Sequence, residues 1–350
     1  MKPNDLRTLG RSGLLVSPVA LGTMTFGTPR WGSPDEVSEQ VFRAYVEAGG
    51  NFIDTADVYA KGRSEELVGG YIADAKLRDD LVLATKYTFN PNPSRPLLGG
   101  NSRKNMHRAL EGSLQRLRTD YVDVYWMHAW DQVTPIEEVL DSMGDLIRAG
   151  KIRYFGLSDV PAWYATRMAT LAEARGVPGP IALQMEYSLT SREIEAEYVR
   201  AAQVCGMGIT PWSPLAAGFL AGKYTRGADG NAQQGGGRLD LNLPSFQKFT
   251  ERNWQVLDRV RAIAADAELD LPKLALAWVY AQPGVISTIL GAKTVEQLQC
   301  NLAALDVQLS PQQMDALNQA SAPEPTSMDR FFSPAGKKMI FAGAEVKSWR

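Results

Sequence analysis

The feature that most constrains the fold is a regular alternation of eight short apolar runs with amphipathic, helix-like segments. Strands that alternate with helices form parallel sheets joined by helical crossovers. Eight such units also close a (β/α)8 barrel. The predicted strands are residues 19–21, 51–53, 81–85, 122–127, 153–157, 181–185, 208–212 and 287–290.

A doubly wound open sheet is the alternative α/β architecture. It usually has a G-x-G-x-x-G turn after the first strand, whereas this chain has "ALGTMTFG" at residues 20–27. We therefore predict an α/β fold, a single (β/α)8 TIM barrel domain over residues 1–350. Residues 6–16 are predicted to form an N-terminal β-hairpin, because apolar stretches flank the turn sequence "GRSG".

The helix boundaries are marked by capping residues. "SPDE", "TPIE", "TVEQ" and "SPQQ" each place Ser or Thr three residues before Glu or Gln, the pattern of a capping box. The predicted N-caps are Ser33, Thr134, Thr294 and Ser310.

Three segments fall outside the alternation. Residues 90–105 and 227–245 are rich in Gly, Pro or Asn and long for barrel loops. We expect them to act as lids on the C-terminal face, where barrel enzymes keep their sites; disordered insertions are the alternative. The tail, residues 323–350, could pack across the same face or remain free.

Net charge and cysteine content indicate which partners and which cellular compartment to expect. The net charge is −2 with both signs interspersed, so we expect neither nucleic acid nor a membrane surface as a partner. Cys205 and Cys300 are far apart and read as free thiols of a reducing compartment. The N-terminus lacks the apolar core of a signal peptide, and cytoplasm is the expected location. No metal-ligand spacing is present, so no metal is expected.

Four ionisable side chains converge at the predicted strand ends. Asp54 ends the second strand, Lys86 the third and His128 the fourth, and Tyr59 follows the second strand on its loop. Each residue alone has an ordinary structural explanation, such as a solvated strand end or a core histidine. Together, on three neighbouring strands, they indicate a catalytic site at the C-terminal face.

The segments "DTADVY", "ATK" and "YWMH", in this order, resemble the aldo-keto reductases. The similarity runs from "LGRSGLLVSPVALGTMTFG" through "GKIRYFGLSD" and "WSPLAAGFLAGK" to "GAKTVEQLQCNL". The resemblance implies a catalytic tetrad of Asp54, Tyr59, Lys86 and His128. It also implies reversible, NAD(P)H-dependent reduction of an aldehyde or ketone to an alcohol.

The side chains suit that chemistry. No protein side chain supplies hydride, so a nicotinamide must. Tyr59 can donate the proton, and a cation such as Lys86 stabilises the resulting phenolate. Asp54 then holds Lys86 in place, and His128 can polarise the carbonyl with a hydrogen bond.

The resemblance also implies a path for the cofactor. Three positions depart from the common family pattern: Asp159 stands where Asn is common, Trp212 where a tyrosine usually stacks, and Gln297 where Arg is frequent. Lys293, beside the helix start at Thr294, favours NADPH (NADP+) through the 2′-phosphate, with NADH possible. The expected contacts are Gly22, Thr23, Met24, Asp54, Ser158, Asp159, Gln184, Trp212, Ser213, Pro214, Leu215, Gly218, Lys223, Arg238, Gly291, Lys293, Thr294, Gln297 and Asn301.

The substrate pocket is expected to be apolar and aromatic. No cation is clearly aimed into it, so neutral aldehydes, ketones or polyols fit better than acids. The expected lining residues are Met24, Phe26, Trp31, Tyr59, Tyr87, His128 and Trp130.

Two other functions remain open at this point. One is a lyase that uses Lys86 as a Schiff-base nucleophile. The other is a non-catalytic, nicotinamide-binding regulatory subunit. The sequence leaves the natural substrate and the oligomeric state undetermined.

Overall fold

Eight parallel strands form one curled sheet with helices on its outside. The computed structural model describes residues 1–28, 32–227, 237–241, 247–344 and 346. Backbone hydrogen bonds also join the two edge strands, since Ile209 N donates to Gly284 O at 2.9 Å and Ile289 N donates to Pro211 O at 2.8 Å. These bonds close the sheet into the predicted (β/α)8 barrel.

The elements follow the predicted alternation. The strands are β1 (Arg7–Thr8), β2 (Leu15–Val16), β3 (Val19–Gly22), β4 (Phe52–Asp54), β5 (Val82–Tyr87), β6 (Val122–Met127), β7 (Ile152–Ser158), β8 (Ala182–Gln184), β9 (Gly208–Ile209) and β10 (Thr288–Leu290). The helices of the described residues are α1 (Asp35–Glu47), α2 (Arg63–Ala75), α3 (Arg103–Leu117), α4 (Ile136–Arg148), α5 (Ala162–Arg175), α6 (Tyr198–Cys205), α7 (Glu251–Asp266), α8 (Leu271–Tyr280), α9 (Val295–Ala303), α10 (Pro311–Ala320), α11 (Ser327–Phe331) and α12 (Pro334–Ile340).

The N-terminal hairpin is present as predicted. Strands β1 and β2 pair antiparallel, with Arg7 opposite Val16. Leu9 and Val16 are fully buried in the same cluster as Phe52 and Trp126 inside the barrel. The hairpin therefore contributes side chains to the interior core.

The pleat of β5 decides which of its side chains enter the barrel, because successive strand residues face opposite sides. Val82 and Ala84 belong to the interior cluster. Leu83 and Tyr87 belong to the larger cluster between the sheet and the helices. Lys86, in phase with Val82 and Ala84, is therefore directed inward at the top of the barrel.

Two of the four predicted N-caps are wrong. Helix α1 begins at Asp35 and α4 at Ile136, each after a proline with no side-chain cap. Ser33 instead donates to Lys293 O at 3.0 Å, and Thr134 donates to Asp131 Oδ2 at 2.6 Å. Thr294 and Ser310 do cap their helices.

The two long loops differ in how much of them the structure describes. Helix α3 begins at Arg103, so the first loop ends earlier than residue 105, and none of residues 90–102 lines the cavity described below. Of the second loop, only residues 227 and 237–241 are described, the latter including a short turn of helix (Arg238–Leu241). The tail forms α11 and α12, and Phe331, Phe332 and Met339 are exposed on it.

Candidate active site

A cavity of about 770 Å³ opens at the C-terminal ends of the barrel strands. Most of the side chains predicted from the sequence line it. These are Gly22, Met24, Asp54, Tyr59, His128, Ser158, Asp159, Gln184, Trp212, Ser213, Pro214, Leu215, Gly218, Lys223, Arg238, Gly291, Lys293, Gln297 and Asn301.

A buried ion pair lies at the base of the cavity. Lys86 Nζ contacts Asp54 Oδ1, and the exposed fractions of the two side chains are 0 % and 2 %. Lys86 also donates to Thr55 O at 2.9 Å, while Gln184 Nε2 donates to Asp54 Oδ2 at 3.0 Å. Burial alone would lower the pKa of Lys86, but Asp54, followed by Tyr59, outweighs burial and raises it. Lys86 is therefore a fixed cation at neutral pH.

Tyr59 joins this pair from the loop after β4. Lys86 Nζ lies 3.4 Å from the Tyr59 hydroxyl. Burial raises the pKa of Tyr59 above its ordinary value, and Lys86 is the strongest influence in the opposite direction. The phenol therefore keeps its proton at neutral pH, beside a cation that stabilises the phenolate once the proton leaves.

His128 faces Tyr59 across the cavity. The two rings meet edge to face, with centroids 5.9 Å apart. Burial, and then Lys86, lower the pKa of His128 well below its ordinary value, so the imidazole is neutral. Its Nδ1 atom is buried without a hydrogen-bond partner among the described residues. His128 lines the cavity, and a neutral imidazole carries one N–H group that can donate to a ligand oxygen.

Polar groups from β7, β8 and the turn after β9 form the next part of the wall. The Ser158 hydroxyl is buried and has no hydrogen-bond partner in the part of the chain that the structure describes. Trp212 Nε1 donates to Asp159 Oδ1 at 3.1 Å. An aromatic face beside an unpaired hydroxyl suits a flat ring that bears an amide, as nicotinamide does.

The segment after Trp212 has an unusual backbone. Ser213, Ala216 and Ala217 have φ values of 55°, 50° and 55°, and Gly218 follows at 94°. Left-handed conformations cost free energy for residues other than glycine and cluster at functional sites. The N–H groups of Ala216, Ala217 and Gly218 donate within the segment itself. The segment lines the cavity with small side chains, which leave room for a pyrophosphate.

Three cations line the far part of the cavity. Burial lowers the pKa of Lys293, and Lys223 and then Arg238 lower it further. Mutually repelling cations are stabilised by a bound anion. Arg238 is also a small influence on the pKa of Tyr59, so of the three cations it is the one that acts toward the tetrad.

Several predicted side chains do not line the cavity, which corrects their placement. Phe26 and Tyr87 are fully buried in the outer core, against Tyr71 and Tyr125 respectively. Trp130 packs on Trp163, with ring centroids 5.4 Å apart. Thr23 and Thr294 support the wall from behind, through Ser64 and Gln297. Trp31 lies outside the described residues.

Phe89 was missed. It lines the cavity, and its ring centroid lies 4.7 Å from that of His128. The sequence offered a signal, because Tyr87 follows Lys86 directly and must face outward in an alternating strand. Phe89, just beyond the strand, was the available aromatic. Val58 and Cys300 also line the cavity and were not predicted.

The turn that carries Tyr59 is strained. Ala60 and Lys61 have φ values of 48° and 57°. Left-handed geometry costs a residue with a Cβ about 1 kcal/mol or more relative to glycine. We expect Ala60→Gly to raise the free energy of unfolding by about 1 kcal/mol in chemical denaturation.

The same substitution, alanine to glycine, should change the free energy of unfolding in the opposite direction when it is made in a helix. Ala73 is exposed in helix α2. Glycine in a helix interior costs about 1 kcal/mol, so Ala73→Gly should lower the free energy of unfolding by that amount. Equal losses in both variants would contradict the strain assigned to Ala60.

Two general features complete the site. Among residues that the structure describes, no group of three or more His, Cys, Asp or Glu side chains could hold a metal ion. The same residues include no helix long and apolar enough to cross a membrane.

The closed barrel therefore brings a buried Asp–Lys pair, an adjacent tyrosine and a neutral histidine together at its C-terminal face. A family model described as the Aldo/keto reductase family matches residues 18–322. The chain belongs to the aldo/keto reductase family.

Three similar proteins carry names with different functions. The chain is 35% identical over 325 residues to an NADP(+) aryl-alcohol dehydrogenase of Phanerodontia chrysosporium, covering 87% of this chain and 83% of the relative. It is 34% identical over 346 residues to a probable voltage-gated potassium channel subunit beta of Oryza sativa subsp. japonica, covering 93% and 99%. It is 31% identical over 318 residues to a norsolorinic acid reductase of Aspergillus flavus, covering 88% and 79%.

Proposed function

We propose that the protein is an NADPH-dependent oxidoreductase that reduces an aldehyde or ketone to an alcohol, reversibly. The observation that carries this proposal is the contact of the Tyr59 hydroxyl with the buried Lys86–Asp54 pair at the floor of the cavity. Bound NADPH would supply the hydride, which no side chain can.

Each member of the tetrad has one task. Tyr59 would donate its proton to the carbonyl oxygen, so that the Tyr59 O–H bond breaks as the alcohol O–H bond forms. Lys86 stabilises the phenolate that remains, and Asp54 keeps Lys86 charged and in place. His128, being neutral, donates a hydrogen bond to the same oxygen.

The residues present fit the cofactor. Ser158 and the amide oxygen of Gln184 are available for the carboxamide, and Trp212 for the face of the nicotinamide ring. Residues 213–218 suit the pyrophosphate, while Lys293 and Lys223 suit the 2′-phosphate. Thr294 caps the neighbouring helix α9 and Asn301 lies on it, near the expected adenine.

The charge state of Lys86 argues against the lyase alternative. A Schiff-base lysine needs a lowered pKa to present a free amine. The pKa of Lys86 is raised instead, and its Nζ is held by Asp54 and Thr55.

A non-catalytic regulatory subunit remains the second candidate. The similarity to potassium channel β subunits covers nearly the whole chain and favours it. It differs from the first proposal in one outcome: tight NADPH binding with negligible turnover.

A substrate panel followed by NADPH absorbance tests the proposal. Aryl aldehydes come first, because relatives are named for aryl alcohols and because Phe89, Tyr59 and Trp212 line the cavity. Ketones, sugars and a carboxylate-bearing aldehyde follow, the last because of Arg238. Oxidation of NADPH that depends on a carbonyl compound supports the enzyme. Binding without turnover across the panel supports the regulatory subunit.

Lys293 gives a test of cofactor choice. We expect Lys293→Ala to weaken NADPH binding roughly 5- to 150-fold, because a charge-assisted contact to a phosphate contributes about 1–3 kcal/mol. NADH, which lacks the 2′-phosphate, should change less than about threefold. Fluorescence titration with both cofactors measures the two constants.

Lys104→Ala is the matched control, since Lys104 is an exposed lysine of helix α3 and its loss changes the net charge equally. It should leave both constants unchanged. Equal losses for NADPH and NADH in Lys293→Ala would place the 2′-phosphate elsewhere.

A further inference from the structure

The wall next to Trp212 carries an acid where a neutral residue would serve an amide ligand better. Asp159 follows β7 directly, with its backbone in the left-handed region at φ 45°. Its amide N donates to Gln184 O at 3.3 Å, and its carbonyl accepts from Trp130 N at 3.3 Å. The residue is therefore fixed by backbone bonds to two neighbouring segments, and its side chain position is set by the fold.

The carboxylate is also fixed to the aromatic platform. Trp212 Nε1 donates to Asp159 Oδ1 at 3.1 Å. Asp159 is exposed and lines the cavity. A flat ring lying on the indole is thereby held beside the carboxylate as well.

The charged residues near Asp159 are paired with other partners and do not neutralise its carboxylate. Glu186 is paired with Lys248 at 2.7 Å, and Lys86 is paired with Asp54. Asp159 has only the neutral indole N–H as a side-chain hydrogen-bond partner among the described residues. Partial loss of solvation in the cavity wall raises the pKa of this exposed carboxyl group to about 6, with the Trp212 bond and Lys86 opposing and Glu186 reinforcing the rise. The group is therefore mostly ionised at pH 7.5.

We infer that Asp159 makes the site discriminate between oxidation states of the cofactor, binding the positively charged oxidised nicotinamide more tightly than the neutral reduced ring. The inference rests on the proposed function, because it needs the nicotinamide at Trp212. The two cofactors share every phosphate and both sugars, so the charge of the ring is the main difference that a nearby carboxylate can detect.

The same charge affects the reaction in both directions. By lowering the free energy of the oxidised complex, Asp159 favours hydride transfer toward the carbonyl on the protein. It also slows release of NADP+, because the same attraction must be lost on dissociation. Asp159 is a positioning and tuning residue rather than a proton donor.

The test compares dissociation constants at pH 7.5 for NADP+ and NADPH, measured by fluorescence and calorimetry without substrate. Because Asp159 is exposed, water screens its attraction to the ring, and Coulomb attraction at contact distance in a dielectric close to that of water predicts a change on the order of tenfold. We expect Asp159→Asn to lower the ratio Kd(NADPH)/Kd(NADP+) about tenfold. Asn tolerates the left-handed backbone and can still accept the Trp212 bond, so the fold should be kept.

Two further variants sharpen the result. Asp159→Gly also suits φ 45° and removes the carboxylate, so it should give the same change in ratio even if one variant folds poorly. Glu186→Gln is the matched control, because it removes a carboxylate already neutralised by Lys248 and should change the ratio less than twofold.

The pH dependence gives an independent readout. The charged and titratable groups facing Asp159 are Lys86, Glu186 (with Lys248 paired to it) and Tyr198. As pH falls through about 6, Asp159 gains a proton and the preference of the unmodified protein for NADP+ should shrink. The Asp159→Asn ratio should stay flat over the same range.

The outcomes are distinct. A ratio that is unchanged in both Asp159 variants, while both cofactors bind, overturns this inference and leaves the proposed function intact. Failure of the unmodified protein to bind either cofactor overturns both.

Discussion

Tyr59→Phe is expected to lower kcat for carbonyl reduction by roughly 10²- to 10⁴-fold, the usual contribution of a positioned general acid. NADPH affinity should change less than about threefold, since the hydroxyl is directed at Lys86 and the substrate position. The ring remains, and with it the edge-to-face contact with His128. Steady-state kinetics and cofactor titration on the same preparation measure both quantities.

Tyr87→Phe is the matched control. It deletes the same hydroxyl from a tyrosine one residue beyond Lys86 whose side chain lies in the outer core. Its hydroxyl has no hydrogen-bond partner among the described residues, so stability should also change little. Unchanged turnover in Tyr59→Phe, or equal losses in the two variants, would remove Tyr59 as the proton donor.

The pH profile follows from the same residue. Because burial raises the pKa of Tyr59, its proton is retained through neutral pH and lost only in alkaline solution. The reductive rate should therefore stay level through neutral pH and fall at alkaline pH. Alcohol oxidation, which needs the phenolate, should rise over the same alkaline range.

Lys86→Met should remove both turnover and stability. The phenolate loses its cation, and Asp54 is left as an unpaired charge inside the barrel. Breaking a buried ion pair by removing one partner typically costs about 3–5 kcal/mol of unfolding free energy. Denaturant unfolding and kinetics give the two losses separately.

The double variant Lys86→Met with Asp54→Asn separates the two roles. Neutralising Asp54 removes the unpaired charge, so part of the stability should return while turnover does not. The pH dependence of stability follows from both partners. The pKa of Lys86 is raised, so its contribution persists through neutral pH and is lost as pH rises through that pKa. Burial raises the pKa of Asp54, so the pair is also lost in acid as Asp54 gains a proton. A single variant as stable as the unmodified protein would contradict the buried pair.

The sequence predicted the barrel because strand and helix periodicities are local properties, and eight alternations leave few ways to close a sheet. It also brought Asp54, Lys86 and His128 together, since parallel strands end at one rim. The sequence-based prediction is wrong where a side chain bonds to a residue that is distant in the chain but close in space. Ser33 was expected to cap α1, but Lys293, 260 residues along the chain, supplies the carbonyl that it binds.

Other failures come from a rule that was available. Tyr87 lies in the outer core and not in the pocket, as strand alternation from inward-facing Lys86 requires. Phe26 and Trp130 needed tertiary information, because loop residues have no fixed period. The Asp159–Trp212 bond joins residues 53 positions apart and could not be inferred from either residue alone.

Transfer of deuterium tests the central claim, the docking of a nicotinamide beside Tyr59 and Lys86, most directly. NADPH labelled at C4 on one face, and then on the other, is incubated with an aldehyde that the protein reduces. The account predicts that the label reaches the carbonyl carbon of the product alcohol from one face only, because Trp212 and the tetrad fix the ring. The account would be contradicted if neither labelled form gave a labelled alcohol, or if both forms labelled the alcohol equally.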